Sequence, residues 1–160
     1  MNRAIPWARQ AAGLALCAAT LAAAANVWGP RRIPWRGDWE HFLEEQARRA
    51  GIALIGLTDA RDALERKEAI FFDARPAADF AAGHLPGAFS WTAAAAVARA
   101  PEFLPLLMSD PSVVVYCAGL DCDEALLLAV FLKNAGVKSL WLMAEGIAGW
   151  RRMKFPEARE

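Results

Sequence analysis

From Ile52 to Arg152, short apolar runs rich in β-branched and aromatic residues alternate with segments of helical period. Strands that are apolar throughout, rather than at every second residue, must be covered on both faces. Strand–helix–strand repetition supplies the cover, so the expected fold is α/β: a parallel sheet with helices on both faces, a three-layer sandwich. The strand runs are Ile52 to Ile55, Ala69 to Phe72 ending at Asp73, Phe89 to Trp91, Val113 to Tyr116 and Ser139 to Met143. Helices are expected from an Asp38 cap to about Ala50, from a Thr58 cap to about Arg66, and over Pro76 to Ala82 with proline in the first turn. Thr92 opens another to about Ala100, with a further helical turn or two over Pro101 to Leu107. The helix from about Cys122 to Asn134 is apolar on most faces, the pattern of a buried helix. Asp121 and Glu124 stand before it at capping-box spacing. Gly146 to Arg152 is the last helix.

An apolar helix precedes this domain. No charge occurs from Gln10 through Pro30, and Ala11 to Trp28 is apolar apart from Thr20 and Asn26. As a helix that stretch reaches roughly 27 Å, enough to cross a bilayer. Arg3 and Arg9 precede it, and Trp7 and Trp28 bracket it as interfacial tryptophans do. Residues 1–28 read as a signal or transmembrane anchor segment, with membrane contact over 8–28. A cleaved secretory peptide, with Ala23-Ala24-Ala25 before Asn26 as its small-residue site, is the alternative. Residues 29–37, with two glycines, two prolines and three arginines, form a linker, and 38–155 the domain. Arg31, Arg32 and Arg36 outnumber Arg3 and Arg9, which by the positive-inside rule keeps the domain in the cytoplasm. The signal-like layout argues for export. The reading adopted is a cytoplasmic-membrane anchor with an extracytoplasmic, periplasmic domain.

Composition closes off other classes. Lys and Arg number 18 and Asp and Glu 18, so the basic excess of a nucleic-acid surface is missing. Of three cysteines, Cys17 lies in the apolar segment, and two are too few for a disulfide scaffold or a Cys-only zinc site. His41 and His84 stand at no ligand spacing to a cysteine. No metal and no cofactor is expected.

Chemistry concentrates at Cys117. It follows Val113-Val114-Val115-Tyr116 directly and precedes the short loop Ala118-Gly119-Leu120-Asp121-Cys122-Asp123. A thiol at a strand-to-helix crossing faces loop amides and the positive end of the helix dipole, which favour the reactive thiolate. A buried structural cysteine is the plainer reading. Asp121, Asp123 and Glu124 bring three carboxylates and no base, which oppose thiolate formation and anionic donors. Cys122 makes a C-x4-C pair with Cys117. It is either a disulfide partner and resolving thiol or a space-filling residue at the helix start.

The stretch Ile70-Phe71-Phe72-Asp73-Ala74-Arg75, then Asp79-Phe80, then Gly83-His84-Leu85-Pro86-Gly87-Ala88, resembles the first half of a rhodanese domain. Val115-Tyr116-Cys117 before a helix, then Glu145-Gly146 and Gly149-Trp150, resembles the second half. The resemblance spans roughly 52 to 152. It implies a five-stranded parallel sandwich in which Cys117 carries a persulfide and passes sulfur on, with the Ala118–Cys122 amides holding the anion. The expected partners are a small sulfur donor or acceptor, or a thiol protein. Asp73, Arg75 and His84 of the first motif are read as structural. The related phosphatase chemistry uses Cys-x5-Arg, and position 123 is Asp. Three functions stay open: a membrane-tethered sulfurtransferase acting through Cys117, a thiol–disulfide redox module using Cys117 and Cys122, and a catalytically inactive binding module on the same fold.

Overall fold

The computed structural model describes residues 6–28, 39–107 and 109–159. The linker at 29–37 and the Asp38 cap lie outside the described residues. The chain divides between residues 38 and 39 into two compact units.

The first unit holds α1, Pro6–Trp28. Its stretch Arg9–Trp28 has a mean hydropathy of 1.6 and none of it is buried. By length and composition it can cross a membrane. The Thr20 hydroxyl donates to the carbonyls of Leu16 and Cys17, at 3.0 and 2.9 Å, so the helix exposes no unmet side-chain donor there.

The second unit is the α/β sandwich. It runs α2 (Trp39–Arg49), β1 (Ala53–Leu54), α3 (Leu57–Glu65), β2 (Ala69–Asp73), α4 (Ala77–Ala82) and β3 (Phe89–Ser90). Then come a 3₁₀ turn (Ala93–Ala95), α5 (Ala96–Leu107), β4 (Ser112–Tyr116), α6 (Glu124–Asn134), β5 (Leu140–Met143) and α7 (Gly146–Arg152). The five strands pair in the order β1-β5-β4-β2-β3, all parallel. The most apolar strand, β4, is central, with Val115 opposite Phe72 on one side and Leu142 on the other.

The two-residue alternation of a strand splits the core. Val113, Val115, Phe72 and Leu142 pack with Leu43 and Ala47 of α2, Phe103 and Leu107 of α5, and Leu128 and Leu132 of α6. Val114, Tyr116, Phe71 and Met143 pack on the opposite face with Leu57 of α3, Phe80 of α4 and Trp150 of α7. Gly51 ends α2 at φ +64°, and Lys133 of α6 donates to the carbonyls of Ala50 and Gly51 at 2.6 and 2.9 Å. A cation thus sits on the negative end of the α2 dipole.

Four local expectations are corrected. Helix α3 is capped at Gly56, whose carbonyl accepts the Ala60 amide at 2.9 Å, not at Thr58. Thr92 caps a 3₁₀ turn, and α5 then runs unbroken through Pro101 and Pro105. Its Phe103 lies 4.7 Å from Trp91 and 5.2 Å from Phe72, ring to ring, and this packing outweighs the proline penalty. Helix α6 starts at Glu124 rather than Cys122, and its cap, Asp123, makes no side-chain bond, so the Asp121/Glu124 capping box does not form. Strand β3 stops at Ser90, one residue before Trp91.

Candidate functional site

Tyr116, the last residue of β4, is fully buried, and Cys117 directly after it is 3% exposed. The chain leaves the sheet at Cys117 and is held there from α7. The Cys117 carbonyl accepts the Ile147 amide and the Ala118 carbonyl accepts the Ala148 amide, both at 2.9 Å. This contact requires a glycine at 146. Its φ is +55°, and a Cβ there would strike the Cys117 carbonyl and lie 2.8 Å from backbone atoms of Ala118 and Gly119.

Ala118, Asp121 and Asp123 are exposed, and Cys122 is half-buried. The Cys122 amide donates to the Gly119 carbonyl at 3.1 Å, folding the loop back on itself. Cys117 and Cys122 are joined by a disulfide, with Cα atoms 6.2 Å apart. Cys122 thus lies in the loop, and α6 begins two residues after it. Beside the loop lies a groove of about 620 Å³ between α2 and α6, walled by Phe42 and Leu127 and ended by Leu120, Asp121 and Asp123.

The other polar cluster lies at the end of β2. Asp73 is fully buried and Arg75 5% exposed. Arg75 Nη2 donates to Asp73 Oδ2 at 2.6 Å, its Nε to Oδ1 at 3.0 Å, and its Nη2 also to the Gly83 carbonyl at 2.7 Å. Burial alone pulls the guanidinium pKa down, but the bond and charge of Asp73 outweigh it, and the net direction is up. His84 stacks on Phe80 at 3.8 Å, with Nδ1 2.9 Å from the Phe80 carbonyl. Tyr116 Oη accepts the Leu85 amide at 3.1 Å. Burial, and then the Asp73 charge, push that phenol far above its ordinary pKa, so it stays neutral. Together these bonds lock the 83–88 turn onto the ends of β2 and β4. Among the described residues, none of Asp73, Arg75 and His84 hydrogen-bonds to Cys117 or its loop.

A sequence profile of the rhodanese-like domain matches residues 57–153. The chain belongs to the rhodanese-like family. It is 27% identical over 108 residues to the Escherichia coli (strain K12) protein YibN, covering 68% of this chain and 73% of that one. It is 29% identical over 177 residues to a Synechococcus elongatus protein named "Putative thiosulfate sulfurtransferase". That match covers 99% of this chain but 51% of the relative, so the chain spans about half of it. The fold resembles the rhodanese-like domain of an Anabaena protein, with a TM-score of 0.56 at 23% identity, over 67% of this chain and 79% of that one.

This rhodanese-like domain thus presents one cysteine at the C-terminal end of its central strand and a second within the same loop. The structure gathers Cys117, Ala118, Gly119, Leu120, Asp121, Cys122 and Asp123 into one tight turn. It places Asp73, Arg75 and His84 apart from that turn, at the 83–88 segment. Two positioning groups escape sequence reasoning. Gly146 stands in the Glu145-Gly146 motif and at the start of the last helix, but its contact with the loop is long-range and the sequence does not show it. The tail is the other. Ala158 and His84 exchange backbone bonds at 2.9 and 3.0 Å, and Trp150 Nε1 donates to the Pro156 carbonyl at 2.7 Å.

Proposed function

We propose that the protein is a membrane-tethered rhodanese-like sulfurtransferase that carries sulfane sulfur on Cys117. The observation that carries this reading is the position of Cys117: buried, at the end of the central strand, in a loop clamped by α7. The Synechococcus relative named for thiosulfate sulfurtransfer supports the reaction class. In the loading step the Cys117 thiolate attacks a sulfane sulfur. With polysulfide, Cys117–S⁻ and Sₙ²⁻ give Cys117–S–S⁻ and the polysulfide shorter by one sulfur. The structure holds Cys117 in a disulfide, so reduction by a thiol precedes loading. Asp121 and Asp123 at the loop repel anionic donors, thiosulfate and polysulfide alike, which slows loading without changing its balance. The helix α1 supplies the tether, and the disulfide suits an oxidising, extracytoplasmic compartment.

The test is an intact mass of the reduced full chain, carrying Cys17→Ser and Cys122→Ser so that Cys117 alone can react, after polysulfide. One added sulfur, absent in Cys117→Ser, is expected. An unchanged mass of the protein that keeps Cys117 would overturn the reading. The disulfide favours one second reading, dithiol–disulfide exchange with a partner protein. That activity needs both cysteines, whereas loading needs Cys117 alone.

A further inference from the structure

Resting on the sulfur-carrier reading, we propose that Cys122 is a second catalytic thiol. It discharges the Cys117 persulfide as hydrosulfide and closes the loop disulfide, so the domain is a persulfide reductase. The step balances without an outside reagent. The Cys122 thiolate attacks the inner sulfur of Cys117–S–SH, and the bond between that sulfur and the terminal one breaks. The terminal sulfur leaves as HS⁻ with the bonding pair. The sulfane sulfur is reduced, and the two cysteine sulfurs are oxidised to the cystine. A dithiol reductant then returns the loop to two thiols and closes the cycle.

Three observations carry this. First, the product of the step is what the structure contains: the two sulfurs are bonded, with Cα atoms 6.2 Å apart. Opening that bond leaves Cys122 beside Cys117, because both ends of the loop stay fixed. The Cys117 and Ala118 carbonyls are held by α7 amides at 2.9 Å, and the Cys122 amide is held by the Gly119 carbonyl at 3.1 Å. A thiol so placed reacts intramolecularly, at an effective concentration no dissolved acceptor reaches. Second, Cys117 is only 3% exposed. A bulky external acceptor reaches a persulfide there poorly, while a neighbour five residues away needs no access. Third, the loop and helix start carry Asp121, Asp123 and Glu124, with Asp121 and Asp123 exposed, and no basic residue. Carboxylates beside the loop favour the protonated persulfide, Cys117–S–SH, from which attack on the inner sulfur expels HS⁻ rather than S²⁻.

The same step runs in reverse when hydrosulfide meets the oxidised loop. Attack of HS⁻ on the disulfide yields Cys117–S–SH and the Cys122 thiolate. The oxidised protein is then loaded by hydrosulfide alone, with no sulfane donor.

The experiment uses the full chain in detergent, in a Cys17→Ser background so that only the loop thiols react. The reduced protein is loaded with polysulfide, stripped of excess reagent and followed by intact mass and sulfide release. The expected result is one sulfide released per chain, ending in a protein two hydrogens lighter than the reduced form. Cys122→Ser and Cys122→Ala should take up sulfur and hold it at least about tenfold longer, as loss of an intramolecular attacker predicts. If wild type keeps its sulfur as long as both variants do, the inference fails and the carrier reading stands. If neither wild type nor variants gain sulfur, both fail. Uptake of one sulfur from hydrosulfide by the oxidised chain, and not by the variants, is the matching result in the reverse direction.

Discussion

Gly146 sits at φ +55°, and the space a Cβ would take is filled by the backbone of Cys117, Ala118 and Gly119. The one residue that fits is the one without a side chain, and its fit sets where the Cys117–Cys122 loop lies against α7. Gly146→Ala is expected to destabilise the fold by more than about 1 kcal/mol, since it adds a strained φ to a backbone clash. Urea unfolding measures this, and an unchanged midpoint would show that the loop can move away freely. The substitution should also slow reoxidation of the Cys117–Cys122 pair, because the loop would lose its fixed end. Asp73 and Arg75 show how far a residue reading reaches. A carboxylate closing a buried strand two residues before an arginine can pair with it locally, and the geometry has that fork. The bond from Arg75 to the Gly83 carbonyl, which ties the fork to the next turn, depends on how α4 folds back.

At the scale of elements, the returning tail is held on the 83–88 turn partly by charge. Arg151 Nη2 donates to Glu157 Oε2 at 2.8 Å and Nε to the same carboxylate at 3.0 Å. The bond from Arg151 lowers the Glu157 pKa against a smaller opposing effect of burial. A carboxyl with a depressed folded pKa stabilises at pH above its unfolded value, and that stabilisation is lost as pH falls through the folded one. Acidification through the carboxylate range should therefore loosen the tail. The protection factor of the Ala158 amide, which donates to the His84 carbonyl, should fall as pH drops through the depressed Glu157 value, while β4 amides stay protected. Equal protection of Ala158 above and below that value would show that apolar contacts, such as Phe155 on Trp150 at 4.9 Å, suffice. The prolines of α5 mark where reading by element breaks down. Pro101 suggests a helix end, yet the aromatic cluster around Phe103 keeps one helix across it.

For the whole molecule, the two units differ in what they bury: α1 buries none of its apolar stretch, and the sandwich encloses a core. Helix α1 exposes Leu14, Leu16 and Leu21 along its length, which lipid accommodates and water does not. The full chain is expected to stay with membranes through an alkaline wash. Leu16→Lys with Leu21→Lys should release it, since each charge near a helix centre costs about 3 kcal/mol to insert. Recovery of wild type in the soluble fraction would remove the tether from the proposed function. The sandwich would keep its chemistry either way, because Cys117, Cys122 and the α7 clamp all lie within residues 39–160.

By itself, the sequence determined the layered α/β plan, the buried central strand, the apolar leader helix and the place of Cys117 at a strand end. Each follows from periodicity or composition within a few residues, where local physics decides. The tertiary structure decided the rest: that Cys122 is bonded to Cys117, that α6 starts at Glu124, that α5 crosses two prolines, and that Gly146 lets α7 approach the loop. Two cysteines in a C-x4-C spacing are equally compatible with a bond and with a bystander. The loop path chooses between them, and that path is set by α7, thirty residues away in sequence and touching the loop only once the sheet has formed.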